Sequence, residues 1–379
     1  MSRAAQPLIL IAAGGTGGHL FPAEALAGAL ARRGIAVELA TDDRAAPFAG
    51  KFPARAIHVL PSDTVRSRNP LSLARTIVVL MWGTLRALWL LLRRRPKAVI
   101  GFGGYPTLPP LIAASILRVP TIIHEQNAVM GRANRWLAGR VDAIATGHAG
   151  LLSANAKLAG KAAYVGNPVR PAVAAAAKKA FAAPNPGEQF RLVVFGGSQG
   201  ARVMSEVVPA AIEALPPALR NRIRIVQQCR EADLDSVRTI YRRLDVPAEI
   251  AAFFPDLPSR VAESHLVIAR SGASTVAEIA AIGRPAILVP LPNALDQDQL
   301  ANASALAAAG GVLLIREPEF TPERVAAEIS RLVAEPATLS LMATSARRMG
   351  RLDAAERLAD LVLRVARILL ELPRQGEVG

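Results

Sequence analysis

The chain has 379 residues, of which 51% are hydrophobic and 4% aromatic, with one cysteine and a formal charge of +15. That length favours two cores over one. The scarcity of aromatics argues against an aromatic-rich β-sandwich, and the lone Cys229 excludes an intramolecular disulfide and a Cys₄ or Cys₂His₂ zinc site. So large a positive charge calls for an anionic partner: a polyanion, nucleic acid or an anionic membrane surface.

Arg3 followed by Leu8–Ala13 has the outline of a secretory signal. The run is short and passes straight into glycines, so it reads as a first strand, Leu8–Ala12. The loop Gly14-Gly15-Thr16-Gly17-Gly18-His19 follows, then an expected helix from about Pro22 to Arg33 and strands at Val37–Thr41 and Ala56–Val59. Next come a long helix near Leu71–Arg94, a strand Ala98–Ile100, a helix near Thr107–Leu117, and strands Thr121–His124 and Ala143–Thr146. Strands alternating with helices predict an α/β fold with a parallel sheet wound on both faces.

Between Ala143 and Gly187 the chain has no acidic residue and is punctuated by Pro168, Pro171, Pro184 and Pro186. A hinge around Gly166-Asn167-Pro168 is expected, dividing the chain into domains 1–167 and 168–351. The second half repeats the alternation, with strands Leu192–Phe195, Ile223–Gln227, Glu249–Ala252, Leu266–Ala269, Ala286–Val289 and Val312–Ile315. A last amphipathic helix, Asp353–Leu370 within the tail 352–372, is expected to pack back on the first domain.

Two glycine-rich strand-to-helix turns stand almost one domain apart, the first loop and Gly196-Gly197-Ser198-Gln199-Gly200-Ala201. Small residues there let backbone N–H groups approach an anion at a helix N-terminus. Arg270-Ser271-Gly272-Ala273-Ser274-Thr275-Val276-Ala277-Glu278 is a third strand-to-helix passage. Ser274 or Thr275 is expected to cap that helix, and Glu278, one turn in, has the chemistry to accept two ribose hydroxyls. Asp296-Gln297-Asp298-Gln299 suggests either Mg²⁺ ligation or acids at a helix start; the second is preferred, because helix termini already supply a phosphate site.

His19 stands at the carboxyl edge of its sheet with an ordinary pKa near 6.5, suited to a general base. Asn127 closes His124-Glu125-Gln126-Asn127 at the same edge, where it can hydrogen-bond a sugar. The segment 71–97 joins Ile77, Leu80, Trp82 and Trp89 to the basic Arg93-Arg94-Arg95. That pairing suits contact with the acyl–headgroup boundary of an anionic bilayer. Arg86 and the length of the run argue against spanning. Nucleic acid is disfavoured as the partner, since no recognised motif or base-stacking platform is present.

Taken together, the first loop, Gly101-Phe102-Gly103-Gly104-Tyr105, His124-Glu125-Gln126-Asn127, Gly166-Asn167-Pro168-Val169-Arg170, the loop 196–201 and Arg270-Ser271-Gly272-Ala273 resemble, in order, the MurG family of bacterial N-acetylglucosaminyltransferases. The resemblance implies two Rossmann-like domains facing across a cleft, the arrangement called GT-B, with no cofactor and no metal. It implies transfer of N-acetylglucosamine from UDP-GlcNAc to the C4 hydroxyl of undecaprenyl-diphospho-N-acetylmuramoyl-pentapeptide (lipid I), with inversion, to give lipid II for peptidoglycan. Carried over, the donor diphosphate falls to Ser198 and to Ala273, Ser274 and Thr275, and the ribose to Glu278. Uracil falls to the backbone at Phe254, Arg170 lies beside the nucleotide, and Gln299 and Asn127 contact the sugar. Thr16, Gly17 and Gly18 complete the donor pocket.

Gly14, Gly15, Gly103 and Gly104 are implied to cradle the acceptor diphosphate, with His19 as base. The implied partners are the donor, the acceptor, the cytoplasmic face of the cell membrane with its anionic lipids, and other cell-wall synthesis proteins. Four rivals share parts of this pattern: a UDP-sugar glycolipid transferase, a UDP-GlcNAc epimerase, a nicotinamide dehydrogenase and a nucleotide-binding membrane scaffold. The dehydrogenase is disfavoured because the first loop lacks Gly-x-Gly-x-x-Gly spacing.

Overall fold

The computed structural model describes residues 6–14, 17–44, 52–64, 69–197, 200–292 and 297–369. They fall into two compact units, one of residues 1–126, 130–166 and 353–379, the other of 127–129 and 167–352.

The first unit holds β1 (Leu8–Ala12), β2 (Ala36–Thr41), β3 (Ile57–Val59), β4 (Ala98–Gly101), β5 (Thr121–Glu125), β6 (Ala143–Thr146) and β7 (Ala162–Tyr164). All are parallel, in the order β3-β2-β1-β4-β5-β6-β7. Its helices include α1 (Gly17–Arg32), α2 (Pro70–Arg94), α3 (Leu108–Ile116) and α4 (Arg132–Leu137). The sheet is covered on both faces, so its strands are continuously apolar and successive side chains enter different cores. Ile9 and Ile11 pack with Leu26 and Leu30 of α1, whereas Leu10 packs with Leu90 and Leu91 of α2 and Leu111 of α3.

Helix α1 begins five residues before the expected Pro22, which lies inside it. A proline near a helix start forfeits one ladder bond, here the one to Gly18, without ending the helix. Asn69 caps α2 by accepting from the Leu71 N–H at 3.0 Å, and Pro70 opens the first turn. Gly83 lets α2 press on the chain below it, because a Cβ there would lie 2.1 Å from the Pro61 carbonyl oxygen.

The second unit holds β8 (Phe190–Phe195), β9 (Ile223–Gln228), β10 (Ala248–Ala251), β11 (Leu266–Ala269), β12 (Ala286–Leu288) and β13 (Val312–Leu314). They are parallel in the order β10-β9-β8-β11-β12-β13. Helices α5 (Arg202–Glu213), α6 (Leu234–Arg243), α7 (Ala273–Ile282), α8 (Asp298–Ala308), α9 (Pro322–Ala334) and α10 (Pro336–Met349) cover it. The chain then returns to the first unit as α11 (Ala354–Val365). Leu358, Ala359 and Val362 join the core of α1, and Arg33 pairs with Glu356 at 2.6 Å and Asp360 at 2.5 Å.

Candidate active site

Each sheet reverses its strand order once, between β1 and β4 in the first and between β8 and β11 in the second. The crevice beyond the carboxyl ends of such strands is where open α/β sheets bind ligands. Gly14 after β1, the start of α1 and Gly101-Phe102-Gly103-Gly104 at the end of β4 stand at the first switch point. Gly196 and Gly197 after β8 and the Arg270–Thr275 passage after β11 occupy the second.

In the first unit, Gly14 has no room for a side chain, since a Cβ would lie 2.7 Å from Asp42 Oδ1 and 2.9 Å from Pro106 Cβ. Gly103 and Gly104 adopt φ of +88° and +75°, a region that disfavours side chains, and a Cβ on either would stand 3.4 Å from the His19 ring. His19 sits in the first turn of α1. Its Nδ1 lies 3.3 Å from Gln126 Nε2, which donates to the Phe102 carbonyl at 3.0 Å. Burial pulls the imidazole pKa below its ordinary value; the hydrogen bond to Phe102 opposes this, Arg44 adds to it and Asp42 offsets it. The ring is therefore neutral at neutral pH, the state a general base requires.

Behind His19 lies a buried polar layer that the sequence reading left without roles. Glu125 accepts from the Gly131 N–H and from Asn134 Nδ2, both at 2.9 Å. Asn134 Oδ1 and His124 Nδ1 are buried without a partner among the described residues, while His124 Nε2 meets the Gly166 carbonyl at 3.0 Å. Burial drives the His124 pKa down to about 4. The string closing β5 is the only sequence signal for this layer; Asn134 carries none. Gly15 and Thr16 lie outside the described residues, and Gly17 and Gly18 form the start of α1.

In the second unit, Glu278 is clamped by both arms of Arg170, Nε at 3.0 Å and Nη2 at 2.9 Å. The N-cap of α7 is Gly272, and no side chain caps it, which corrects the expectation placed on Ser274 and Thr275. A glycine at this position brings no side chain of its own to the first turn of the helix. Arg270 is buried, donates to the Val289 and Pro290 carbonyls and pairs with Glu317. Ser271 Oγ donates to the Gln299 carbonyl, and Gln299 Oε1 accepts from the Leu291 N–H at 3.0 Å. Asn302 Nδ2 donates to Asn127 Oδ1 at 3.0 Å. Phe254 is buried beneath the Arg260 guanidinium, 4.5 Å from its ring centroid. Ser198 and Asp296 lie outside the described residues, among which no His/Cys/Asp/Glu group is placed to hold a metal.

Of the residues assigned to a membrane, Ile77, Trp82 and Trp89 on α2 are 49%, 56% and 62% exposed, and Arg93 stacks 5.3 Å over Trp89. Two assignments are corrected. Leu80 is half-buried against the core, and Arg94 is bound to the buried Glu38, which His58 also contacts at 2.9 Å. Arg94 therefore anchors the end of α2 to β2 and is spoken for. Helix α2 is long and apolar enough to cross a membrane by length and composition, yet Thr76, Gly83, Ala87, Leu90 and Leu91 bury one side of it.

Two open parallel sheets, each with glycine-rich passages at its switch point, are the architecture of an α/β nucleotide-binding protein. Residues 9–146 match the glycosyltransferase family 28 N-terminal domain and 191–358 its C-terminal domain. A Rhodopseudomonas palustris protein is 61% identical over 362 residues, covering 96% of this chain and 99% of its own. It is named UDP-N-acetylglucosamine–N-acetylmuramyl-(pentapeptide) pyrophosphoryl-undecaprenol N-acetylglucosamine transferase. A Nitrobacter winogradskyi protein of the same name is 59% identical over 95% of this chain and 98% of its own. The crystal structure of Acinetobacter baumannii MurG superimposes with a TM-score of 0.76 at 26% identity, covering 94% of this chain and 99% of that one. The chain belongs to glycosyltransferase family 28 and, within it, to the MurG family. A UDP-N-acetylglucosamine 2-epimerase, with TM-score 0.67 at 14% identity, shares the fold alone.

Proposed function

We propose that the chain moves N-acetylglucosamine from UDP-GlcNAc to lipid I, giving lipid II for peptidoglycan. The observation that carries this reading is the 61% identity, over 99% of its length, to a relative named for that transfer. The C4 hydroxyl oxygen of the acceptor sugar attacks the anomeric carbon, and its proton passes to His19. The bond from that carbon to the β-phosphate oxygen breaks, UDP leaves, and the configuration inverts because attack comes from the face opposite the leaving group.

Each half-site supports its share. Gly14, Gly103 and Gly104 keep the first switch point free of side chains beside a neutral imidazole. On the second unit, the start of α7 offers backbone donors and dipole to the charge that develops on UDP. The Arg170 fork fixes the plane of the Glu278 carboxylate and leaves each oxygen a further lone pair for a ribose hydroxyl. The exposed face of α2 docks on the cytoplasmic leaflet, where a polyprenyl acceptor is anchored.

Release of UDP from UDP-GlcNAc in EDTA, with and without a short-chain lipid I analogue, tests this. The expected result is acceptor-dependent turnover that survives EDTA and is lost in His19→Ala. Turnover that ignores the acceptor overturns the lipid I assignment, and turnover lost to EDTA restores Asp296 and Asp298 as metal ligands.

A further inference from the structure

The His19 ring meets the protein along two unlike edges. Gly104 lies against one of them: a Cβ there would stand 3.4 Å from Nε2 and 3.5 Å from Cδ2. Because position 104 is glycine, that edge carries no side chain from it, and His19 as a whole is only half-buried. Against the other edge, Nδ1 is 3.3 Å from Nε2 of Gln126, a residue only 5% exposed. Burying an amide costs free energy unless hydrogen bonds match it.

The Phe102 carbonyl, 3.0 Å from the Gln126 amide nitrogen, fixes which way the amide faces. Only the NH₂ group can point at a carbonyl, so a donor and not Oε1 stands beside Nδ1. The Phe102 backbone also takes a hydrogen bond from the His19 ring, which restores part of the basicity that burial removes. A carbonyl oxygen has two lone pairs and accommodates both donors. The adjacent carboxylate, Glu125, is turned away, accepting from the Gly131 N–H and from Asn134 Nδ2, both at 2.9 Å. A histidine base is commonly oriented through its second nitrogen by a carboxylate, which also favours the charged ring. Here a carbonyl and an amide, both neutral, take that place.

We propose that Gln126 is the positioning residue of the base: with the Phe102 carbonyl it holds the His19 ring with its proton on Nδ1 and its lone pair on Nε2, at the edge Gly104 leaves open. This rests on His19 being the base of the transfer proposed above. The acceptor O–H bond breaks as the bond from that oxygen to the anomeric carbon forms. The proton moves to Nε2, the Phe102 carbonyl supports the charge through Nδ1–H, and UDP leaves with the electron pair. Since neither partner is charged, the ring is oriented without being held as imidazolium. Arg44 and Asp42, which follow β2, and His124 on β5 are the other ionisable groups that act on the ring, and substitution at 126 leaves them in place.

The test joins kinetics to ¹⁵N NMR of the histidine-labelled full-length chain at neutral pH, the His19 signals being assigned by their absence in His19→Ala. Wild type is expected to show a neutral ring protonated at Nδ1. Gln126→Leu is expected to move that proton to Nε2 and to lower kcat about 10- to 100-fold, with KM for UDP-GlcNAc changed less than about twofold. Gln126→Glu is expected to shift the acid limb of the kcat profile up by about 1–3 pH units, activity returning at higher pH. Thermal melting checks folding, and Gln126→Met replaces the Leu variant if that one fails to fold. A wild-type ring protonated at Nε2, with Gln126 donating to a bare Nδ1, overturns the arrangement. Wild-type signals and kcat in Gln126→Leu overturn the role of Gln126. Undiminished turnover in His19→Ala overturns the base itself, a failure told apart from the others because it needs no ring signal.

Discussion

The two units share one plan and finish it differently. Both are parallel sheets with glycine-rich loops at a single switch point, yet the polar groups beside those loops are in opposite states. In the second unit they are tied to one another: Arg170 to Glu278, Arg270 to Glu317, Ser271 and Leu291 to Gln299. In the first unit a neutral His19 stands over a buried layer in which His124 Nδ1 and Asn134 Oδ1 lack partners among the described residues. A network of charge-assisted hydrogen bonds holds a shape ready for a ligand. Unpaired buried polar atoms carry a desolvation cost, and such atoms beside a catalytic candidate mark a site where function has been kept at the expense of stability.

The comparison can be broken most forcefully at His19. Replacing it with Ala is expected to lower kcat by about 10²- to 10⁴-fold, the usual worth of a positioned general base, with little change in KM for UDP-GlcNAc. A loss confined to KM would remove the base from the first unit.

The next effect concerns stability. His124 has a pKa of about 4 in the folded chain against 6.5 as its ordinary value. Between those values the unfolded chain binds more protons, so stability is complete above pH 6.5 and falls as pH drops towards 4, by up to about 3 kcal/mol. Denaturant unfolding across that range, in wild type and His124→Gln, should give a steep profile and a flatter one; equal slopes would assign the acid sensitivity elsewhere.

In the second unit, Arg170→Ala is expected to raise KM for UDP-GlcNAc roughly 10-fold or more while sparing kcat. Its effect should be strongly non-additive with Glu278→Ala, because one interaction is being removed twice. Additive losses in a double-mutant cycle would show that the two act separately on the donor. On the outer face of the first unit, W82E/W89E should weaken binding to anionic vesicles about 10-fold with an unchanged melt. Arg94→Gln should lower the melt instead, since it leaves the buried Glu38 with His58 alone. The smallest effect is expected from Arg95→Gly, at φ 49° after α2, which should stabilise by roughly 0.5–1 kcal/mol.

What the sequence made legible was whatever is written in adjacent residues. Apolar runs ending in glycines located β1 and β8, and the long apolar stretch from Leu71 located α2. Strand β7, Ala162–Tyr164, escaped because three half-buried residues carry no periodicity. Helices α4, α6 and α10 are likewise absent from the sequence expectations, although Pro336 marks the start of the last. The start of α1 was misplaced because Pro22 reads locally as a beginning, whereas the helix tolerates it one turn in. Pairings across long separations left no local trace. Glu38 and Arg94 are 56 residues apart and Arg170 and Glu278 are 108, separations at which no local pattern links the partners. Ser274 looked like a cap by type, but Gly272 holds the geometry.

The return of α11 to α1 has a consequence for how the protein is made. The first sheet leaves the ribosome early, but the helix that fills its core at Leu358 and Val362 is encoded after the whole second unit. At a synthesis rate of about 5–20 residues per second, the intervening stretch of roughly 190 residues delays that helix by on the order of ten to forty seconds. Throughout that interval the nascent first unit shows an open apolar groove along α1 and β4–β6, lined on one side by Arg32 and Arg33 awaiting Glu356 and Asp360. The second unit waits for no later segment of the chain.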